Sequence, residues 1–228
     1  MEAVSLVNSR GLKLAGLFHA GTLDSIIVMG HGFTGDKSEC GGFDRIAEEF
    51  NKAGYNVFRF DYAGCGESDD APLSVSRHRE DYVAVLDYVE SRGFSRIGFF
   101  GHSISGLVAL EVMDPRVKAL VFTAPVTAPM QDYAEKKYDE SQLEELQETG
   151  FITRYRDKGP RYKSVIDGKS IDERKEVDQT KLLGKLNIPV LVFYGKLDVW
   201  VPYENSVEAM TLFPHAQGLS LSKKRATI

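Results

Sequence analysis

Between Arg96 and Leu110 the chain reads RIGFFGHSISGLVAL. A short apolar run leads into the tight turn Gly101-His102-Ser103-Ile104-Ser105, and an apolar helical stretch follows. A serine at the apex of a strand–turn–helix is held in a strained turn with its oxygen outward, poised to attack an acyl carbon. Small residues are needed two positions to either side, because the strand and helix backbones approach closely there. Gly101 meets that need. Ser105 stands where a second glycine is expected, and Gly106 adds room. Ser103 is therefore the candidate nucleophile, with acyl transfer as its chemistry. The competing reading is a chance glycine-serine turn.

Two further stretches carry complementary chemistry. In GHGFTGDKSE (residues 30–39) the glycines let backbone N–H groups face a developing oxyanion, and Phe33 N–H can pair with Ile104 N–H, the amide after the nucleophile. A phosphate-binding loop is the rival, since Gly30 and Gly35 have its spacing; Asp36, intruding before Lys37-Ser38, breaks that motif and repels phosphate. In FYGKLDVWVP (residues 193–202), Asp198 follows an apolar run and a glycine, where a carboxylate can orient an imidazole. Its alternative is an ordinary turn aspartate. DYAGCGESD (residues 61–69) reads as a structural turn whose glycines supply positive φ.

The elements that must position these residues alternate. Leu12–Ala20, Ser25–His31, Tyr55–Asp61, Arg96–His102, Val117–Pro125 and Pro189–Gly195 read as strands. Phe43–Ala53, Arg77–Arg92, Ile104–Met113 and Glu204–Leu212 read as helices. This predicts a doubly wound, mostly parallel α/β sheet, whose sites form at the carboxyl ends of the strands. Residues 1–126 and 187–228 form this core. Thr127–Leu186 breaks the pattern: charge density rises and buried-strand runs stop. DESQLEELQETG, with Ser141 and Glu144 as a capping box and Gly150 as a stop, predicts a helical cap insertion above the candidate site.

With 33 acidic against 28 basic residues, net charge −5, the chain lacks the basic footprint of nucleic-acid binding. Cys40 and Cys65 do not make a disulfide framework and suit the reducing cytoplasm. The start MEAVSLVNSRG does not read as a signal peptide, and no apolar stretch approaches a membrane span of roughly 20 residues. No membrane partner is expected, and nothing in the sequence argues for an oligomer.

His31-Gly32-Phe33, Asp61 through Ser68, Gly101 through Gly106 and Gly195 through Pro202 resemble the α/β-hydrolase superfamily, in its chain order and across most of the sequence. Within it they are similar to small intracellular esterases of the feruloyl/cinnamoyl-esterase and serine-aminopeptidase-like type. The resemblance implies Ser103 as nucleophile, Asp198 as triad acid, the Phe33 and Ile104 amides as oxyanion hole, and 127–186 as the cap that shapes the acyl or alcohol pocket. It implies a small ester as substrate and no cofactor or metal. It also implies a histidine after the acid, in a loop following one more strand. GLSLS (residues 218–222) reads as that strand, but KKRATI follows it. His31 and His102 belong to other motifs, and His19 and His78 precede the serine. His215, the sole histidine after Asp198, stands before the strand and reads as a surface residue. The expectation is a serine hydrolase of small or aromatic carboxylic esters, impaired for want of a triad histidine. The alternative is an inactive or truncated hydrolase-fold protein that binds a ligand or partner under its cap. An aspartate-nucleophile dehalogenase or epoxide hydrolase is disfavoured by Ser103.

Overall fold

The computed structural model describes residues 1–157, 159–213 and 216–222. Its first half runs β1 (Glu2–Val7), β2 (Lys13–His19), β3 (Ser25–Gly30), α1 (Gly42–Lys52), β4 (Asn56–Phe60) and α2 (Val75–Ser91). The elbow region follows as β5 (Arg96–His102), α3 (Ile104–Val112) and β6 (Val117–Thr123). After an excursion of about 60 residues, the chain returns through β9 (Val190–Gly195), α8 (Tyr203–Leu212) and β10 (Ala216–Ser222).

These strands make one eight-stranded sheet in the order β1-β2-β4-β3-β5-β6-β9-β10. From β4 to β10 every pairing is parallel; β1 and β2 join antiparallel at one edge. The fold is thus the doubly wound, mostly parallel α/β sheet that the alternation predicts. Successive residues of a strand face opposite sides, which gives adjacent phenylalanines of β5 separate duties. Phe100 packs with Met29 and Phe43 of α1 on one face. Phe99 packs with Tyr82, Leu86 and Leu107 of α2 and α3 on the other.

The excursion differs from the expected helical insertion. It holds four short helices, α4 (Tyr133–Lys137), α5 (Glu140–Thr149), α6 (Lys169–Lys175) and α7 (Gln179–Leu183). Between α5 and α6 lies an antiparallel ribbon, β7 (Phe151–Tyr155) and β8 (Lys163–Asp167). The capping box of α5 is Asp139 with Gln142, not Ser141 with Glu144, while Gly150 ends the helix with φ 79° as expected. The ribbon docks on the core: Leu73 N–H donates to Val165 O at 2.8 Å, and Asp167 N–H donates to Leu73 O at 3.0 Å. From α6, the Glu173 carboxylate accepts the N–H groups of Val75 and Ser76 at 2.7 and 3.1 Å, which caps α2.

Candidate active site

β5 ends at His102 and α3 starts at Ile104, so Ser103 alone makes the turn. Its φ of 52° and ψ of −113° lie outside the regions a side chain favours, at a cost on the order of 1–3 kcal/mol. Neighbouring bonds hold it there. Ser103 N–H donates to Thr123 O at 2.9 Å, and Ser103 O accepts from Gly106 N–H and Val126 N–H at 3.0 and 3.2 Å. The need for small neighbours is explicit, since a Cβ on Gly106 would lie 2.6 Å from Pro125 Cβ. Ser105 is fully buried. Its Oγ donates to His31 O at 2.6 Å, so the Tyr62 hydroxyl, 2.9 Å away, is the donor to Ser105. Ser103 is half-buried and makes no such side-chain bond among the described residues.

The loop after β3 lies directly against this elbow: a Cβ on Gly32 would meet the His102 ring at 2.9 Å. Tyr62 N–H donates to His31 Nε2 at 3.2 Å, which makes Nδ1 the protonated nitrogen; it donates to Gly32 O at 2.8 Å. Gly32 N–H in turn donates to the Glu39 carboxylate. Between these anchors, the N–H groups of Phe33 and Ile104 have no hydrogen-bond partner among the described residues. For Ile104 this follows from its place as the first residue of a helix.

Asp61 fastens the far side of the loop. It is fully buried and accepts Lys37 N–H and Lys37 Nζ, each at 2.6 Å, and Glu67 N–H at 2.9 Å. Burial alone would lower the Lys37 pKa, but Asp61 and Glu67 outweigh it and hold the ammonium above its ordinary value. Lys37 is thus occupied by carboxylates, which removes the phosphate-loop reading. Gly66, at φ 48°, lies so close to Asp61 that a Cβ would sit 2.2 Å from its carboxylate, so residues 61–69 act as the expected structural turn.

Asp198 follows β9, two strands from β5 across the sheet. Its Oδ1 accepts Trp200 N–H at 2.9 Å and Val201 N–H at 3.0 Å. Oδ2 has no partner among the described residues. The carboxylate is therefore anchored by one oxygen and open at the other. Beside it, Trp200 and Asn205 face Met130 and Tyr133 across a cavity of about 260 Å³. A larger cavity of about 750 Å³ lies between α2 and the end of β1, with neither Ser103 nor Asp198 in its lining.

None of the four described histidines hydrogen-bonds Ser103 or Asp198. His19 accepts from Arg59 Nε at 3.3 Å. His31 is fixed as above, and His102 Nδ1 lies 2.9 Å from Thr123 Oγ1. His78 is fully buried, stacked on Tyr62 at 4.2 Å, and burial drives its pKa well down. His215 lies outside the described residues.

Sequence reasoning missed the cations that residues 127–186 bring here. Arg174 of α6 is 1% exposed, with its guanidinium 4.1 Å from the Phe33 ring centroid and 4.9 Å from that of Tyr133. Arg154 and Arg156 of the β7 strand and its exit donate to Thr34, the former to Oγ1 at 3.0 Å. Lys137 Nζ lies 3.9 Å from the Trp200 ring centroid. In sequence each looks like a solvated charge on a polar helix or loop.

Comparison with known proteins fits this arrangement. The chain matches the profile of the serine aminopeptidase S33 family over residues 21–163, more than half its length, and it belongs to that family. An uncharacterized 31.7 kDa protein of the traX-finO intergenic region in Escherichia coli is 32% identical over 103 residues, 42% of this chain and 35% of that protein. The match thus spans about a third of that curated relative's length. The structure of DcsB in complex with its substrate analogue superposes with a TM-score of 0.81 at 22% identity, covering 99% of this chain and 92% of that one. Est1E from Butyrivibrio proteoclasticus, with ferulic acid bound, gives 0.78 at 21% identity over 99% and 92% of the two chains. Both share the α/β-hydrolase fold with this chain.

Proposed function

We propose that this chain is a serine hydrolase of carboxylic esters with small or aromatic acyl groups. The observation that carries the reading is Ser103 in its strained turn, with two amides, Phe33 and Ile104, that lack partners among the described residues. Ser103 Oγ attacks the ester carbonyl carbon while the two N–H groups receive the oxyanion. The carbon–oxygen bond to the alcohol breaks, the alcohol leaves with a proton, and water hydrolyses the acyl-enzyme. Asp198, with Oδ2 open, has the role of orienting the base. No histidine among the described residues hydrogen-bonds Ser103, so the groups these residues offer the reaction are the oxyanion amides and the binding surface. In well-studied serine hydrolases those leave roughly 10³–10⁴-fold over water when a triad member is missing. The same observation favours a second reading, a hydrolase-fold protein that binds its ligand under the cap without turnover. Free Cys40 and Cys65 support a place in the cytoplasm.

A fluorophosphonate probe with peptide mapping tests the nucleophile. Label on Ser103, lost in Ser103→Ala, is the expected result; label on Ser105 defeats the assignment. Slow release of p-nitrophenol from p-nitrophenyl acetate that stops in Ser103→Ala favours the hydrolase. Labelling with no release at all favours the binding protein.

A further inference from the structure

We propose that the cations of residues 127–186 form an anion-binding wall beside the candidate active site, and that the ester taken there carries a free carboxylate besides its ester group. The inference rests on the reading of Ser103 for the word ester, but the anion site is argued from other residues.

Lys137, Arg154, Arg156 and Arg174 all stand on the cap, and none forms an ion pair among the described residues. Most other described arginines are ion-paired, Arg45 being an exception. Arg10 holds Asp81 at 2.7 Å, Arg59 holds Asp44 at 2.5 Å, Arg77 holds Asp167 at 2.6 Å, and Arg116 holds Asp114 at 2.7 Å. The four unpaired cations also converge. Arg154 and Arg156 bind Thr34, next to Phe33. Arg174 stacks on Phe33 itself, and Lys137 stacks on Trp200, two residues past Asp198. The four cations thus run from the candidate oxyanion loop to the candidate acid loop; Trp200 and Tyr133, which two of them stack on, also line the cavity of about 260 Å³, whose charged lining is Lys136 and Asp132.

Arg174 carries the most weight. Its Nη1 donates to Ser170, but Nη2 is buried with no hydrogen-bond partner. A buried guanidinium is costly to desolvate, and burial holds the Arg174 pKa below its ordinary value even though Tyr133, Tyr138 and the Glu173 charge act against it. The bland reading makes Arg174 a pin that holds α6 to Phe33 and Tyr133 through cation–π contacts. That reading leaves Nη2 unexplained, and it does not account for three more cations around it. Burial, and then the charges of Arg154, Arg156 and Arg174, push the Lys137 pKa down to about 8, so the group is coupled electrostatically. A planar carboxylate accepts from a guanidinium edge and offsets this accumulated charge.

The test uses Ser103→Ala, so that binding is read without turnover, and the fluorescence of Trp200, the single tryptophan. Monomethyl glutarate is titrated against neutral dimethyl glutarate at low ionic strength. The expected result is at least about tenfold tighter binding of the monoanion, weakening as salt is added. Arg174→Met should erase the preference. Lys137→Met and Arg154→Gln, which do not disturb a buried core position, should each reduce it about threefold or more. Equal affinity for the two esters, or a preference unchanged in Lys137→Met and Arg154→Gln, overturns the proposal. Inorganic phosphate competing as well as the hemiester overturns the carboxylate assignment. If Ser103 proves unreactive toward fluorophosphonate while the preference persists, the hydrolase reading fails and the anion site stands.

Discussion

Ser105 Oγ donates to the carbonyl of His31 at 2.6 Å, and this bond ties α3 to the loop after β3, the candidate oxyanion loop. The serine that breaks the expected glycine pattern therefore does more than fit. With the Tyr62 hydroxyl donating to the same oxygen, it completes a buried chain of two hydrogen bonds. Ser105→Ala should leave both the Tyr62 hydroxyl and the His31 carbonyl short of a partner, at a cost of about 1–3 kcal/mol. Urea unfolding measures it, and a loss under about 0.5 kcal/mol would mean that water replaces the serine without penalty.

The turn at Ser103 stores strain that a glycine can release. Ser103→Ala keeps a side chain at φ 52°, whereas Ser103→Gly does not. The glycine variant should be the more stable of the two by about 1 kcal/mol, after allowing for its larger unfolded-state entropy. Both should lose the fluorophosphonate label. If the alanine variant is equally stable, the turn is unstrained and its geometry owes nothing to function.

The local geometry around Ser103 was legible because its signals are local. A strand–turn–helix with Gly101 and Ser103 specifies its own geometry, and so does a glycine loop after a buried strand. The parallel sheet was legible for the same reason, in its apolar runs. β1 was not, because Glu2–Val7 is an edge strand whose residues are mostly exposed. β7 and β8 were not, because five-residue strands bearing Arg154, Lys163 and Asp167 gain their burial from docking rather than from composition. Arg174 was hidden for a related reason: KSIDERK has the composition of a solvated helix, and only tertiary packing buries one of its charges.

Glu173, the neighbour of Arg174, gives a test of how residues 127–186 are held to the core. It satisfies two N–H groups in the first turn of α2, where a negative charge also complements the helix dipole. Glu173→Gln keeps an accepting oxygen and loses the charge, for an expected cost of about 0.5–1 kcal/mol. Glu173→Ala should cost more and speed proteolysis within residues 127–186. Identical proteolysis of Glu173→Ala and the parent protein would show that the ribbon at Leu73, not Glu173, fastens the cap.

Lys137 and Trp200 report on the cationic wall directly. Lys137 is half-buried, and desolvation followed by Arg154, Arg156 and Arg174 lowers its pKa from 10.5 to about 8. Between those two values the unfolded chain holds this proton and the folded chain does not. Stability therefore rises with pH across the window, and below about pH 8 the folded protein bears the cost of the charge. Solvent screening of a half-exposed group reduces that cost to about 1 kcal/mol, and the cation–π contact with Trp200 offsets part of it. Lys137→Met should accordingly be relatively more stable at pH 7 than at pH 10.5, with the difference from the parent shrinking as Lys137 loses its proton. Trp200 fluorescence should titrate with a midpoint near pH 8 in the parent and lose that transition in Lys137→Met. An anion held by the wall favours the charged lysine, so saturating monomethyl glutarate should move the midpoint upward. A midpoint near 10.5 without ligand would mean that the ammonium is solvated and uncoupled from the three arginines, and the wall would lose one of its four members.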